Sequence, residues 1–475
     1  MAWVRLKAKL AGVGIAVAMV LGPVATPTGV NAETLADAMA SAYEHNGLID
    51  QNRALLRAAD EDVAQAYSVL KPILNWSADL TRTWGRQYSS TLGSSVGAGA
   101  TKATVGIAAE LLLWDFGTSA LRVDMAKEAV LATRQALLSA EQQVLLRAAL
   151  AYLEVQRNHE FVRLRDNNVR VITVELRAAR DRFEVGEVTR TDVAIAEARL
   201  AAARSSYVAA EGGLARAVEE FRAAVGRKPG RLQARPPVPK TAKSVESAKA
   251  TALRHHPEMR KVQHDVAATE LAILAAEGAM KPTVKLKGTY GLSQTFDSLG
   301  YSNGGSLGVV ASGPIYQGGR LSSLARQAMA RRDAARGGLH MVRHGLAQNV
   351  GNAWAQLQVA RASREASERQ VRASTVAFRG VREEATLGAR TTLDVLDAEQ
   401  ELLDAKANLI SATIDQHSAA YQLLSAMGLL TAERMKLRVP QYDPVAYYNM
   451  VKDAPPLYSK QGKKLDKVLR ALGKE

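Results

Sequence analysis

Between Thr118 and Phe183 the chain carries neither Gly nor Pro over 66 residues. Its apolar side chains return every seven positions: Leu131, Leu138, Leu145 and Tyr152, then Val155, Val162, Val169, Leu176 and Phe183. A sustained seven-residue repeat is the pattern of helices packed as coiled coils. The stretch predicts one helix ~99 Å long at 1.5 Å per residue. Glu33 to Leu70 and Arg190 to Val225 predict two shorter helices that match the long one when stacked end to end. A second long segment, 319–385, is flanked by shorter ones at 245–280 and 392–427. Leu396, Leu403, Ile410 and Leu424 keep the spacing there, interrupted by His417. Gly337, Gly338, Gly345, Gly351 and Gly380 weaken the second long helix by up to ~1 kcal/mol each relative to Ala.

After Pro72 the period changes to two. Asn75, Ser77, Asp79, Thr81 and Thr83 alternate with Trp76, Ala78, Leu80 and Trp84, broken by Arg82. A Gly/Ser-rich loop is expected over Gln87–Ala100. Ala103, Val105, Ile107, Ala109, Leu111 and Leu113 then line one face of a second strand. In the other half of the chain Val284, Leu286, Tyr290 and Leu292 alternate with Thr283, Lys285, Lys287 and Thr289. After a loop expected over Gln294–Gly305, Leu307, Val309 and Ala311 do the same. Alternation over about ten residues is the weak signal of a transmembrane barrel strand. Trp76, Trp84, Trp114 and Tyr290 are the candidate aromatics of the membrane interface. Soluble hairpins packed on a helical body are the competing reading of these strands.

The two halves share one order of parts. Gly186, Thr189, Asp192, Val193 and Glu197 recur as Gly388, Thr391, Asp394, Val395 and Glu399 at an offset of 202. Gly117 pairs with Gly318 at 201, and Lys71-Pro72 with Lys281-Pro282 at 210, so the intervening segment is shorter in the second half. The expected organisation is a signal segment at 1–32 and a first repeat at 33–230 with its hairpin at 73–116. A Pro-rich linker follows at 231–243, then a second repeat at 244–430 with its hairpin at 283–317, and a tail at 431–475.

Composition sharpens this picture. Arg5, Lys7 and Lys9, an apolar run from Leu10 to Gly22, and Val30-Asn31-Ala32 before Glu33 form a secretory signal pattern, expected in a bacterial exported protein. No later stretch has 18 consecutive apolar residues, so entry into a membrane is expected through strands. Cys is absent, which excludes disulfides, thiolate zinc sites, a Cys nucleophile and a lipidated N-terminal Cys. In hydrocarbon every backbone amide must be paired, so a spanning sheet must close. Four strands are too few, because the smallest natural barrels have about eight. Several chains must therefore pool their strands, and three would supply twelve.

With these residues in view, the chain resembles the outer-membrane efflux protein family, in its TolC-like branch. The carriers are Thr34-Leu35-Ala36-Asp37-Ala38, Pro72 and Pro282 before each first strand, and the run from Gly388 to Glu399. The resemblance implies a mainly α fold with a small β part: a homotrimer with a twelve-stranded barrel in the outer membrane and a long α-helical barrel crossing the periplasm. It implies a periplasmic adaptor and an inner-membrane ABC or RND transporter as partners, and no cofactor. Asp394 and Asp397 match the family's acidic constriction at the periplasmic end. Three apart on a helix, they face the same way, and six carboxylates in a trimer would favour cations and raise one another's pKa. Arg390 matches a residue tying the inner helix pair to its neighbour, with Thr191 and Asp192 as partners. Gly186, Thr189, Gly388 and Thr391 mark the helix–helix turns at the tip, where adaptor and pump dock. Where the family has Tyr, this chain has Ala385, so one closing hydrogen bond is absent.

Plain capping accounts equally for Asp192 and Asp394 at helix starts. His340 and His344 have i,i+4 spacing, yet no zincin Glu follows and no third ligand is evident. No phosphate-cradling loop or nucleophile elbow occurs, and no enzyme is expected. The formal net charge is +15, or +12 without the signal segment. Its Lys and Arg are dispersed over amphipathic helices of an exported chain, which argues against nucleic acid. The basic tail is expected as a solvated periplasmic extension, with wrapping of the helical barrel and membrane or partner contact as alternatives, and His255-His256-Pro257 is expected to lie on the surface. A periplasmic coiled-coil scaffold or adaptor is the competing function.

Overall fold

A computed structural model describes residues 32–472, except 92, 234–237 and 298–299. The expected signal segment, apart from Ala32, and the middle of the expected linker lie outside the described residues. Each half runs helix, helix, strand, strand, long helix, helix. The first contains α1 (Leu35–His45), α2 (Gly47–Ser68), β1 (Ile73–Ser89), β2 (Ser94–Trp114), α3 (Thr118–Glu184) and α4 (Arg190–Val225). The second contains α5 (Val245–His255), α6 (Pro257–Gly278), β3 (Thr283–Thr295), β4 (Tyr301–Ser312), α7 (Arg320–Thr386) and α8 (Thr392–Ala426). Two short helices close the chain, α9 (Ala446–Val451) and α10 (Lys460–Leu472).

The long helices α3 and α7 are both 67 residues, and their ends correspond at an offset of 202. The five glycines of α7 do not interrupt it, because α6 and α8 pack along its length and supply what propensity lacks. Gly117 at φ 80° and Gly319 at φ 82° both N-cap the long helices, so the structural counterpart of Gly117 is Gly319, not Gly318. Each expected single helix before a strand is in fact two. Asn46 leaves helical geometry and its side chain accepts from the Leu48 amide at 2.9 Å, starting α2. His256 precedes Pro257, and a residue before proline is pushed from the helical region. Its ring accepts from the Glu258 amide at 3.2 Å. His255 is exposed as expected, whereas His256 is half-buried and Pro257 buried, which corrects the surface placement of those two.

The strands form one antiparallel sheet in the order β1-β2-β3-β4. Most of Gln87–Ala100, expected as a loop, belongs to this ladder, as do Gln294, Thr295 and Tyr301–Gly305. Side-chain propensity misleads there because an antiparallel ladder needs only backbone groups. Glycine even helps at Gly305, where a Cβ would stand 2.7 Å from the Thr289 carbonyl oxygen.

The central core surrounds Tyr152, halfway along α3, with Met39, Leu145, Phe221, Leu424 and Leu430. The Tyr152 hydroxyl donates to the carbonyls of Glu33 at 3.0 Å and Gln233 at 3.1 Å. Here α1 and α4 meet α3, so the short helices do stack along the long one. The tail departs from the expected solvated extension. Leu430, Ala432 and Leu437 enter this core, and Tyr447 and Val451 bury against Ala64 on α2. These five apolar anchors outweigh the basic composition further along, at ~25 cal/mol per Å² of apolar area covered.

Candidate functional site

The sequence-predicted site residues fall in two regions, the far ends of the helices and the sheet. At the helix ends the duplicated motif folds twice into one geometry. Gly186 and Gly388 both adopt φ 78°, a left-handed turn that L side chains resist. Thr189 and Thr391 then N-cap α4 and α8 with full capping boxes. The Asp394 carboxylate accepts from the Thr391 amide at 2.9 Å and hydroxyl at 2.8 Å, and Asp192 does the same with Thr189. The Thr391 amide bond, then its hydroxyl, hold Asp394 below the usual carboxylate range, and Thr189 acts likewise on Asp192. The upward shift expected of six gathered carboxylates requires copies that one chain does not contain.

Among the described residues Arg390 meets neither Thr191 nor Asp192. Its Nε donates to Glu384 at 2.8 Å across the turn, beside the buried methyl of Ala385. Thr191 is exposed. Asp397, by contrast, reaches across to α4, where Arg199 donates to it at 2.7 Å.

Here the two halves differ in a way the sequence pattern did not single out. In the first half Arg180 on α3 pairs with Glu197 on α4. Their counterparts at offset 202 are Arg382 and Glu399. These do not pair with each other. Glu399 is buried against α3, where Asn168 Nδ2 donates to its two oxygens at 2.8 and 3.0 Å. Arg382 lies 3.5 Å from Glu175, also on α3. Burial pushes the Glu399 pKa up, partly countered by Asn168. The same residue types thus close the first hairpin on itself and dock the second hairpin onto the first. The conserved offset was legible, whereas the exchange of partners was not.

The sheet register sorts side chains into two faces. Trp76, Ile107 and Tyr290 share one row, and Leu80 pairs with Ala103 on the same face. The opposite face holds Asp79, Thr104 and Glu110, the last accepting from Lys285 at 2.6 Å. Trp76, Trp84, Trp114 and Tyr290 are all more than half exposed. Trp76, Trp84 and Tyr290 lie within strands, and Trp114 ends β2. A register shift between Leu112 and Trp114 turns Trp114 onto the apolar face opposite Val284. No helix among the described residues is long and apolar enough to cross a membrane. The apolar face of the sheet, with Trp76, Leu80 and Ile107, is exposed in the single chain.

Long paired helices carrying a short sheet with an exposed apolar face define an outer-membrane efflux channel fold. The family model described as Outer membrane efflux protein matches residues 39–227 and 250–429, and the chain belongs to that family. It is 35% identical over 444 residues to the outer membrane efflux protein BepC of Brucella suis biovar 1, covering 92% of this chain and 95% of that one. It is 25% identical over 426 residues to the outer membrane protein TolC of Escherichia coli K12, covering 85% and 83%. Among solved structures, CusC matches with a TM-score of 0.73 at 18% identity, over 83% of this chain and 91% of that one. VceC of Vibrio cholerae matches at 0.71 and 20%, over 83% and 96%. These last two show the shared fold. The protein is one of the bacterial outer membrane and serves transport, so the enzyme and soluble-scaffold readings fall away.

Proposed function

We propose that three copies assemble into a passive export duct, with a twelve-stranded barrel in the outer membrane and a helical tunnel below it. The single observation that carries this reading is the four-stranded sheet. Among the described residues β1 and β4 each have one unpartnered edge, while the apolar face is exposed. Unpaired edge amides in hydrocarbon cost several kcal/mol each, and β4 of one copy beside β1 of the next removes that cost. The duct receives cargo from an inner-membrane ABC or RND transporter through a periplasmic adaptor, at the turns formed by Gly186, Thr189, Gly388 and Thr391. The relatives' printed names, which include efflux and an alkaline protease secretion protein of Pseudomonas aeruginosa, support drug efflux or type I protein secretion.

The tip is the gate, with Asp394 and Asp397 at the constriction. It opens when the α7–α8 hairpin swings away from α3–α4, breaking Asn168–Glu399, Arg199–Asp397 and Arg382–Glu175. Purified full-length protein in planar bilayers should give small, long-lived conductance steps and run as a heat-modifiable oligomer. A soluble monomer without conductance would overturn the reading. Arg390→Ser should raise resting conductance, and an unchanged closed state would remove Arg390 from the gate.

A further inference from the structure

The outward face of β1 changes character along its length. Up to Leu80 it is apolar; beyond it the same face carries Arg82, Trp84, Arg86 and Tyr88 in alternation. Arg82 is the residue that breaks the apolar alternation. Both arginines are exposed, and neither forms an ion pair among the described residues. On the opposite face Asp79 is the acid of the same strand, and Asp297, in the turn after β3, accepts from the amide of Thr101, the residue opposite Arg82. Cations on the lipid face are tolerated near the interfaces and costly at the midplane, so their height decides what they meet.

That height follows from the register. From Trp114 at the helix-side rim to Thr101 the strand climbs about 12 steps, discounting the bulged Leu113. At ~3.4 Å per step and a ~40° tilt this is ~31 Å of rise. The apolar band of a barrel is ~25 Å tall. Arg82 therefore stands just beyond the band on the side away from the helices, and Arg86 ~10 Å higher. Aromatics interleaved with the cations are the composition of a headgroup zone. A planar guanidinium offers paired N–H donors that match phosphate oxygens.

We infer that Arg82 and Arg86, flanking Trp84 on β1, form a docking surface for a phosphorylated lipid headgroup of the outer leaflet. In a trimer there are three such surfaces on the outside of the barrel. The inference rests on the barrel reading above, because only a membrane-embedded sheet sets the height of these residues. It concerns the lipid-facing wall and leaves the tip unchanged.

The test uses the full-length oligomer in detergent and native mass spectrometry, with bisphosphorylated lipid A and its enzymatically dephosphorylated form as probes. Wild type should retain the phosphorylated lipid at least about tenfold better. The double variant Arg82→Gln/Arg86→Gln should lose that preference while keeping its heat-modifiable oligomer and conductance. Equal retention of both lipids by wild type, or an undiminished preference in the variant, overturns the inference. Should the variant fail to assemble, the two lipids on wild type decide alone. A wild type that forms no oligomer overturns the barrel reading instead, and an oligomer indifferent to phosphate overturns only this one.

Discussion

Replacing Asn168 by alanine isolates the buried polar contact among those that hold the second hairpin onto the first. Both partners are buried, at 4% and 7% exposure, and a single Nδ2 serves both Glu399 oxygens. Removing it leaves a carboxylate enclosed without its donor, which costs about 1.5–3 kcal/mol for a charge-assisted bond. Per chain that moves the balance between docked and released hairpins about 10- to 150-fold toward release. Arg199→Ala provides the internal comparison. The Arg199–Asp397 pair is 40% and 57% exposed, and exposed pairs contribute about 1 kcal/mol at most, a shift of about fivefold. Single-channel open probability in planar bilayers should therefore rise far more in Asn168→Ala than in Arg199→Ala, with oligomer heat-modifiability as the control for folding. The pH dependence has a definite sign. Docking raises the Glu399 pKa, so the docked hairpin holds its proton more tightly than the released one. Docking is strongest in acid and weakens as pH rises through the docked pKa, so open probability should fall on acidification toward the usual carboxylate range. Equal effects of the two substitutions, or an opposite response to acid that survives Glu399→Gln, would refute the reasoning.

Three further outcomes are expected. Asp394→Asn with Asp397→Asn should lower the cation-to-anion permeability ratio read from reversal potentials in a salt gradient; an unchanged ratio would place the constriction elsewhere. Asp60 is fully enclosed, with neither oxygen hydrogen-bonded among the described residues, and burial raises its pKa from 3.8 to about 6. Its folded state binds the extra proton, so stability should decline as pH rises from about 4 to 6, and Asp60→Asn should gain up to about 3 kcal/mol at pH 7; a slope that persists in the variant, followed by thermal unfolding of the helices, would contradict this. Gly388→Ala forces a side chain into φ 78° at a cost of about 1–2 kcal/mol, and hydrogen exchange over residues 384–394 should quicken about fivefold or more while the sheet is unaffected.

Much of the architecture was legible because its signals are periodic. Seven-residue spacing marked α3, and the absence of Gly and Pro placed its ends within a residue. The repeat at Gly186 and Gly388 predicted matching turns because left-handed φ is a local property. Where tertiary packing decides, the sequence was silent. Gly-rich stretches of β1–β4 read as loops because the ladder that orders them lies on a neighbouring strand. The breaks at Asn46 and His256 were written in the residues, a capping side chain and a pre-proline position, but were overridden by the surrounding helical pattern. At the helix ends, the capping role of Asp394 was legible from its place three residues after Thr391. Asn168, Arg199 and Glu175 were not, since nothing along one helix announces which residue of another helix it will meet. The packing of the tail was not legible because Ala432, Leu437, Tyr447 and Val451 are scattered anchors in a basic segment, too few to show a period.

The uniform correspondence of α3 with α7, and of Arg180 and Glu197 with Arg382 and Glu399, has an evolutionary corollary. In the trimer proposed above, a half-length ancestor would have built the same wall from six identical pieces, every piece latched alike and none distinguishable from the next. Joining two halves in one polypeptide released one latch from that sameness. Alternate segments of the ring could then specialise, one set as fixed frame and the other as moving shutter.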